Sequence, residues 1–248
     1  MPRMTDNMDD HGMTTSTYGY SAVNYAKLGS TDQTLVSIFC DRSGSTGPFT
    51  KQAEDVLKTV VDACRLSPRA DSLLLRVCAF SDRLEEIHGF KPLADCAKGD
   101  YDGSLPAYGM TALFDAVVNG LESTADYAGK LYDQSFNVNA IMIVLTDGLE
   151  NASALGVHAV NLVMTQLQDS VELEKLESFV SILVGLGVQG NVAKELENFS
   201  KDGGFGQYIF FEDVTQSKMA KLANFISQSI SAQSQALGTG GPSKSLSF

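Results

Sequence analysis

The stretch TLVSIFCDRSGST, Thr34–Thr46, passes without a break from an apolar segment into an aspartate, two serines and a glycine. Seven residues of mostly β-branched, aromatic and sulfur-bearing type read as a buried strand. Its end is unusual. Asp41, Ser43 and Ser45 stand at alternating positions just past the apolar run, so three oxygen-bearing side chains leave the strand together.

Working outward, the chain alternates apolar runs with amphipathic stretches. PFTKQAEDVLKTVVDACR puts Phe49, Ala53, Val56, Leu57, Val60, Val61 and Cys64 at helical spacing, with Pro48 suited to the first turn. SLLLRVCAF predicts a second strand, and LEEIHGF a third, short enough to be an antiparallel edge. A helix through TALFDAVVNGLESTADYAG follows, and then AIMIVLT, the most continuously apolar run in the chain, which predicts a central parallel strand covered on both faces. The remainder reads as helix (VHAVNLVMTQLQDSVELEKL), strand (FVSILVGL), helix (VAKELENFSKD), strand (QYIFF) and helix (QSKMAKLANFISQSIS). Strands separated by helices need crossover connections. The fold class expected is therefore α/β: a Rossmann-like, doubly wound, mostly parallel sheet with one antiparallel edge strand and helices on both faces.

At 248 residues and 44% hydrophobic content, the chain can bury one sizeable core. Residues 1–33 predict a flexible or surface-laid extension, with YGYSAVNY as a candidate edge strand; 34–231 form the domain, and the Gly/Ser-rich 232–248 predict a flexible tail whose Leu246 and Phe248 could dock on a partner. The formal net charge of -12 repels phosphate backbones and anionic lipid, so neither nucleic acid nor a membrane is expected as a partner. The first residues lack an apolar leader and no run is long enough to span a bilayer, which predicts a cytoplasmic protein. Cys40, Cys64, Cys78 and Cys96 are far apart, three of them in apolar segments, and predict reduced core thiols.

In doubly wound sheets, ligands sit beyond the carboxyl ends of the strands. Three sequence positions put polar groups there: DRSGS after the first strand, YGMTALFD with Thr111 at a helix start, and LTDG with Asp147 after the most apolar strand. Asp41, Ser43, Ser45, Thr111 and Asp147 form an all-oxygen set, which suits Mg²⁺ or Mn²⁺ better than zinc. Taken singly, each could be a helix cap or a turn former. Asp115 and Glu150, close by in sequence, read as solvated acids or as supports for the ligands.

The set D-x-S-x-S, then a lone threonine at a helix start, then Asp-Gly after a central strand, resembles the metal-ion-dependent adhesion site (MIDAS) of the von Willebrand factor type A domain. The resemblance spans about Thr34 to Ser231 and includes ILVGLGVQGNVAKELENFSKDGG, which is similar to that family's penultimate strand and helix. It implies that Ser43 and Ser45 bind the metal directly, that Thr111 binds directly or through water, and that Asp41 and Asp147 often act through water. It further implies a non-enzymatic adaptor that captures an Asp or Glu of a partner protein through the ion, with a MoxR-type AAA+ ATPase as the partner class the resemblance suggests. The alternatives are a metal-dependent hydrolase and a structural component of a phage or secretion assembly.

Other chemistries fit poorly. An aspartyl-nucleophile phosphatase needs a second aspartate where Ser43 stands, and a hydroxyl cannot move protons near neutral pH. No G-x-x-x-x-G-K-[ST] occurs, and GLGVQG lies on a late strand without an acidic ribose partner. His11, His88 and His158 are scattered and read as surface or satisfied polar residues.

Overall fold

A computed structural model describes residues 8–13 and 16–239. Among these residues the strands are β1 (Met8–His11), β2 (Tyr20–Val23), β3 (Asp32–Asp41), β4 (Leu73–Phe80), β5 (Leu84–Pro92), β6 (Asn137–Thr146), β7 (Ser178–Leu186) and β8 (Gln207–Phe211). They form one sheet in the order β1-β2-β5-β4-β3-β6-β7-β8. The helices are α1 (Thr50–Arg65), α2 (Leu113–Tyr132), α3 (Val157–Glu172), α4 (Gly190–Gly203) and α5 (Gln216–Thr239). The pairs from β4 through β3, β6 and β7 to β8 are parallel, so the architecture is the α/β, mostly parallel, Rossmann-like one expected.

Alternation along β3 shows how one strand serves two layers. Val36, Ile38 and Cys40 join a core with α1 and α5, while Leu35 and Phe39 join the opposite core with α2, α3 and α4. α2 approaches the sheet closely because Gly120 lacks a side chain; a Cβ there would collide with the Met142 methyl and the Phe39 ring. All four cysteines are buried and unbridged.

Three elements differ from the sequence expectation. Residues Gly44–Phe49 form a 3₁₀ helix, so α1 begins at Thr50 rather than around Pro48. α5 continues through Thr239, past residue 231; the remainder of the tail, with Leu246 and Phe248, lies outside the described residues. LEEIHGF pairs antiparallel with β4, but it is not the edge. β2 lies parallel beside it, and β1 folds antiparallel onto β2 as the outer strand.

What draws β2 onto β5 is a buried charge. Arg76, fully buried in the central strand β4, donates from Nε to Glu86 at 2.7 Å, and its other nitrogens donate to Ser123 Oγ and Asn119 Oδ1 at 2.7 and 2.9 Å. Glu86 in turn accepts the backbone N–H and the hydroxyl of Ser21 in β2. The rings of Phe39, Tyr20 and Phe90 surround the guanidinium.

His88 on β5 is buried, with Nε2 bonded to the Tyr101 hydroxyl at 2.9 Å and Nδ1 to the Gly89 carbonyl at 3.0 Å. Burial, helped by the Lys91 charge, pushes its pKa down to about 4. An unfolded chain takes up this proton near pH 6.5, so the fold loses stability as pH falls from there towards 4. Wild type is expected to lose about 2 kcal/mol to this residue between roughly pH 7.5 and pH 5. Urea unfolding should show that loss flattened in His88→Gln; an unchanged pH slope would count against it.

Candidate metal centre

β3 and β6 are neighbours in register, with Cys40 opposite Leu145, so Asp41 and Thr146 end the two strands side by side. Asp41 is almost fully buried. Its Oδ2 accepts the Thr146 hydroxyl at 2.6 Å and its Oδ1 the backbone N–H of Ser43 at 2.8 Å. The second bond folds the chain back immediately after the strand, which turns Ser43 and Ser45 towards the next loop.

That loop carries Asp147. The Ser43 and Ser45 hydroxyl oxygens lie 3.1 Å apart, and Asp147 Oδ1 stands 3.5 and 3.0 Å from them. Thr111 joins from the third loop. Its Oγ1 and Ser45 Oγ lie 3.8 and 3.9 Å from the point a Cβ on Gly148 would occupy, which puts both hydroxyls beside the residue that follows Asp147. The five residues singled out in the sequence are thus brought together at the carboxyl ends of β3 and β6.

Electrostatics make the cluster costly as it stands. Burial raises the Asp41 pKa to about 6, against the lowering effect of its bonds from Thr146 and Ser43, and the nearby Asp147 charge raises it further. Burial also raises the Asp147 pKa, opposed by the Ser45 hydroxyl. Two carboxylates that resist ionisation in a protein interior are stabilised in their charged form by a cation. Among the described residues no three His, Cys, Asp or Glu side chains gather as a metal cluster. The donor set here is two carboxylates with three hydroxyls, a combination that suits a hard dication.

The surroundings hold the loops in place. Thr111 and Asn151 are paired reciprocally: Thr111 N–H donates to Asn151 Oδ1 at 2.7 Å, and Asn151 N–H donates to the Thr111 carbonyl at 3.0 Å. Asp115 and Glu150 are not solvated acids. Asp115 accepts the N–H groups of Ala154 and Leu155, while Glu150 accepts those of Ala152, Ser153 and Phe114, the last at the start of α2. They brace residues 150–155 against the first turn of α2, which begins two residues after Thr111. On the near side, Gly109 adopts φ 77°, and a Cβ there would collide with the Asp82 carboxylate. Arg42, between two of the candidate ligands, turns away to pair with Glu85 at 2.6 Å and to bond the Tyr108 hydroxyl. Sequence reasoning missed Thr146 and Asn151. Thr146 was legible, because it directly precedes Asp147 and faces Asp41 once the two strands are taken as neighbours; Asn151 had no local signal.

Neither a family model nor a curated relative matches the sequence. Solved structures do match in fold. Proximal thread matrix protein 1 from the mussel byssus is 21% identical, with a TM-score of 0.53 over 82% of this chain and 46% of that one. This chain therefore spans less than half of the mussel protein's length. A further structure of that protein has a zinc-occupied MIDAS motif. The PilB minor pilin from Streptococcus sanguinis is 14% identical, with a TM-score of 0.57 over 85% of this chain and 63% of that one. BatB from Bacteroides thetaiotaomicron is 16% identical, with a TM-score of 0.50 over 79% of this chain and 98% of that one. At these identities the likeness is one of fold. No helix among the described residues is long and apolar enough to cross a membrane.

Proposed function

We propose that the chain is a von Willebrand factor A-like module that holds one Mg²⁺ or Mn²⁺ at this cluster and uses it to bind an acidic side chain of a partner protein. The observation that carries the reading is Asp41: a buried carboxylate whose charge is disfavoured by its surroundings, beside hydroxyls already turned towards a second carboxylate. The mussel protein's zinc-occupied MIDAS motif supports a metal at such a site in this fold. Ser43, Ser45 and Thr111 would supply neutral oxygens, and Asp41 and Asp147 the negative charge. Such a shell leaves part of the ion's charge uncancelled, and a small dication keeps exchangeable waters, so an external carboxylate is a fitting further ligand.

Binding rather than turnover is the role we infer, because in this reading both carboxylates of the cluster serve the ion and the groups left beside it are hydroxyls, which do not shuttle protons at neutral pH. The buried, unbridged cysteines suit a reducing, cytoplasmic setting. A MoxR-type AAA+ ATPase is one partner that the family resemblance suggests.

The test uses Mn²⁺ as the probe and water-proton relaxation as the readout. One bound Mn²⁺ per chain is expected, lost in a Ser43→Ala/Ser45→Ala double variant, with glutarate displacing metal-bound water in the wild type. Thr111→Ala is expected to keep Mn²⁺ but to weaken the carboxylate response by roughly tenfold, the effect of one neutral contact made mainly in the ligand-bound state. Absence of Mn²⁺ binding, or binding untouched by the double variant, would sink the proposal.

A further inference from the structure

Two of the five candidate ligands are followed, two residues on, by an apolar side chain in the wall of a groove. Thr111 leads to Leu113 at the start of α2, and Asp147 leads to Leu149. With Leu196 and Phe199 of α4 these walls enclose about 270 Å³. The floor belongs to the core: Leu113, Leu196 and Phe199 are buried, and the Phe114 ring packs on that of Phe199 with centroids 4.9 Å apart. The margin does not, because Phe114 and Leu149 are only partly buried. This volume falls below the roughly 300 Å³ at which pockets for whole drug-sized molecules begin, so it suits a single large side chain.

Its place beside the centre follows from chain length. Two residues of fully extended chain span about 7 Å at most, so the Cα atoms of Leu113 and Leu149 stand no further than that from those of Thr111 and Asp147. A partner segment has the same reach. In an extended peptide, side chains two places apart project from one face, so an acid held at the ion carries the side chain two residues away towards the groove. Met110, directly before Thr111, is 56% exposed and adds an adaptable apolar surface next to the same ligand. Charge narrows the choice further. Glu195, exposed, and Glu150, committed to the N–H groups of Phe114, Ala152 and Ser153, both line the groove of a chain whose net charge is -12. A second acid beside the first is repelled there, whereas an apolar neighbour is not.

We propose that the groove seats a large apolar side chain of the partner, two residues from the Asp or Glu that reaches the ion, so that the centre reads an acid-x-apolar segment rather than a run of acids. The proposal rests on the metal-dependent reading given above and adds to it the residue that selects among acidic partners.

The probes are capped pentapeptides, each with one glutamate at its centre and symmetric so that chain direction does not matter: Ac-Phe-Gly-Glu-Gly-Phe-NH₂ and Ac-Gly-Gly-Glu-Gly-Gly-NH₂. A third, Ac-Glu-Gly-Glu-Gly-Glu-NH₂, is polyacidic. Titration calorimetry of the Mn²⁺-loaded full chain is expected to show the phenylalanine peptide binding roughly tenfold tighter than the glycine one, the gain from burying one apolar side chain, and tighter than the polyacidic one. Chelator should abolish binding of all three. Leu149→Ser should remove most of the tenfold preference, whereas Leu149→Met should keep it; so should Leu66→Ser, which alters a side chain 87% exposed beyond the far end of α1. Circular dichroism checks that each variant is folded. If glutarate displaces metal-bound water but the phenylalanine and glycine peptides bind alike, the groove is refuted and the metal site stands. If no carboxylate responds to the ion, both fall together. A phenylalanine preference that survives chelator, that persists in folded Leu149→Ser, that is lost in Leu66→Ser, or that is exceeded by the polyacidic peptide would also overturn the proposal.

Discussion

Glu86→Ala is expected to destabilise the fold by about 3–5 kcal/mol, because it leaves the Arg76 guanidinium charged and unpaired inside the sheet. Arg76 is fully buried, and Glu86 is its anionic partner at 2.7 Å. The loss also removes the acceptor for the Ser21 N–H and hydroxyl, so it reaches into β2. For a chain of this length the shift corresponds to a drop of roughly 10 °C in Tm. A double variant, Arg76→Met/Glu86→Leu, should recover most of it, since replacing both partners by apolar groups leaves no stranded charge. Thermal unfolding followed by circular dichroism decides the matter: a Glu86→Ala protein as stable as wild type, or a double variant worse than the single one, would show that the pair is not what holds this side of the sheet.

Asp41→Asn is expected to act in opposite directions on binding and on stability. Cation affinity should fall about a hundredfold or more, since one of two carboxylates at the centre is lost. The metal-free protein should nevertheless become more stable near neutral pH. The sign follows from the raised pKa: burial lifts Asp41 to about 6, above the value of an unfolded chain, so ionisation at neutral pH works against folding. That penalty amounts to roughly 2–3 kcal/mol and disappears below about pH 4, where both states are protonated. The amide retains an acceptor for Ser43 N–H without the charge. Calorimetry in chelator together with Mn²⁺ titration reads both effects. A variant that loses stability without metal, or that binds Mn²⁺ as wild type does, would remove Asp41 from the role given to it.

Much of this fold could be read in the chain because helix and strand alternate with distinct apolar periods. AIMIVLT lies within β6, in the middle of the sheet, and Val56, Leu57, Val60, Val61 and Cys64 lie on the buried face of α1. The candidate site was legible for a related reason: in a parallel sheet, polar residues at strand ends are carried to one rim whatever the connecting helices do. What stayed hidden depended on contacts distant in sequence. The attachment of β2 requires Glu86 to accept from Ser21, and nothing local to either residue signals the other. Asp115 and Glu150 looked like surface acids because their partners are backbone N–H groups on a loop whose path only the fold defines. The start of α1 moved because six residues, Gly44–Phe49, wind more tightly than the periodicity of the helix behind them suggested.

The insertion of β2 beside β5 also constrains the order in which the molecule assembles. Ser21 and Glu86 are 65 residues apart, and the strand that receives β2 is itself placed by pairing with β4. Closing so long a loop gains nothing until β4 and β5 already stand side by side with Arg76 between them. The hairpin of β1 and β2 is therefore expected to join only after β4 and β5 have paired and, by microscopic reversibility, to leave before they part. Its departure would uncover the β5 backbone and expose the Arg76–Glu86 pair while the centre of the sheet stayed intact, which makes this margin a separate opening unit within an otherwise cooperative fold.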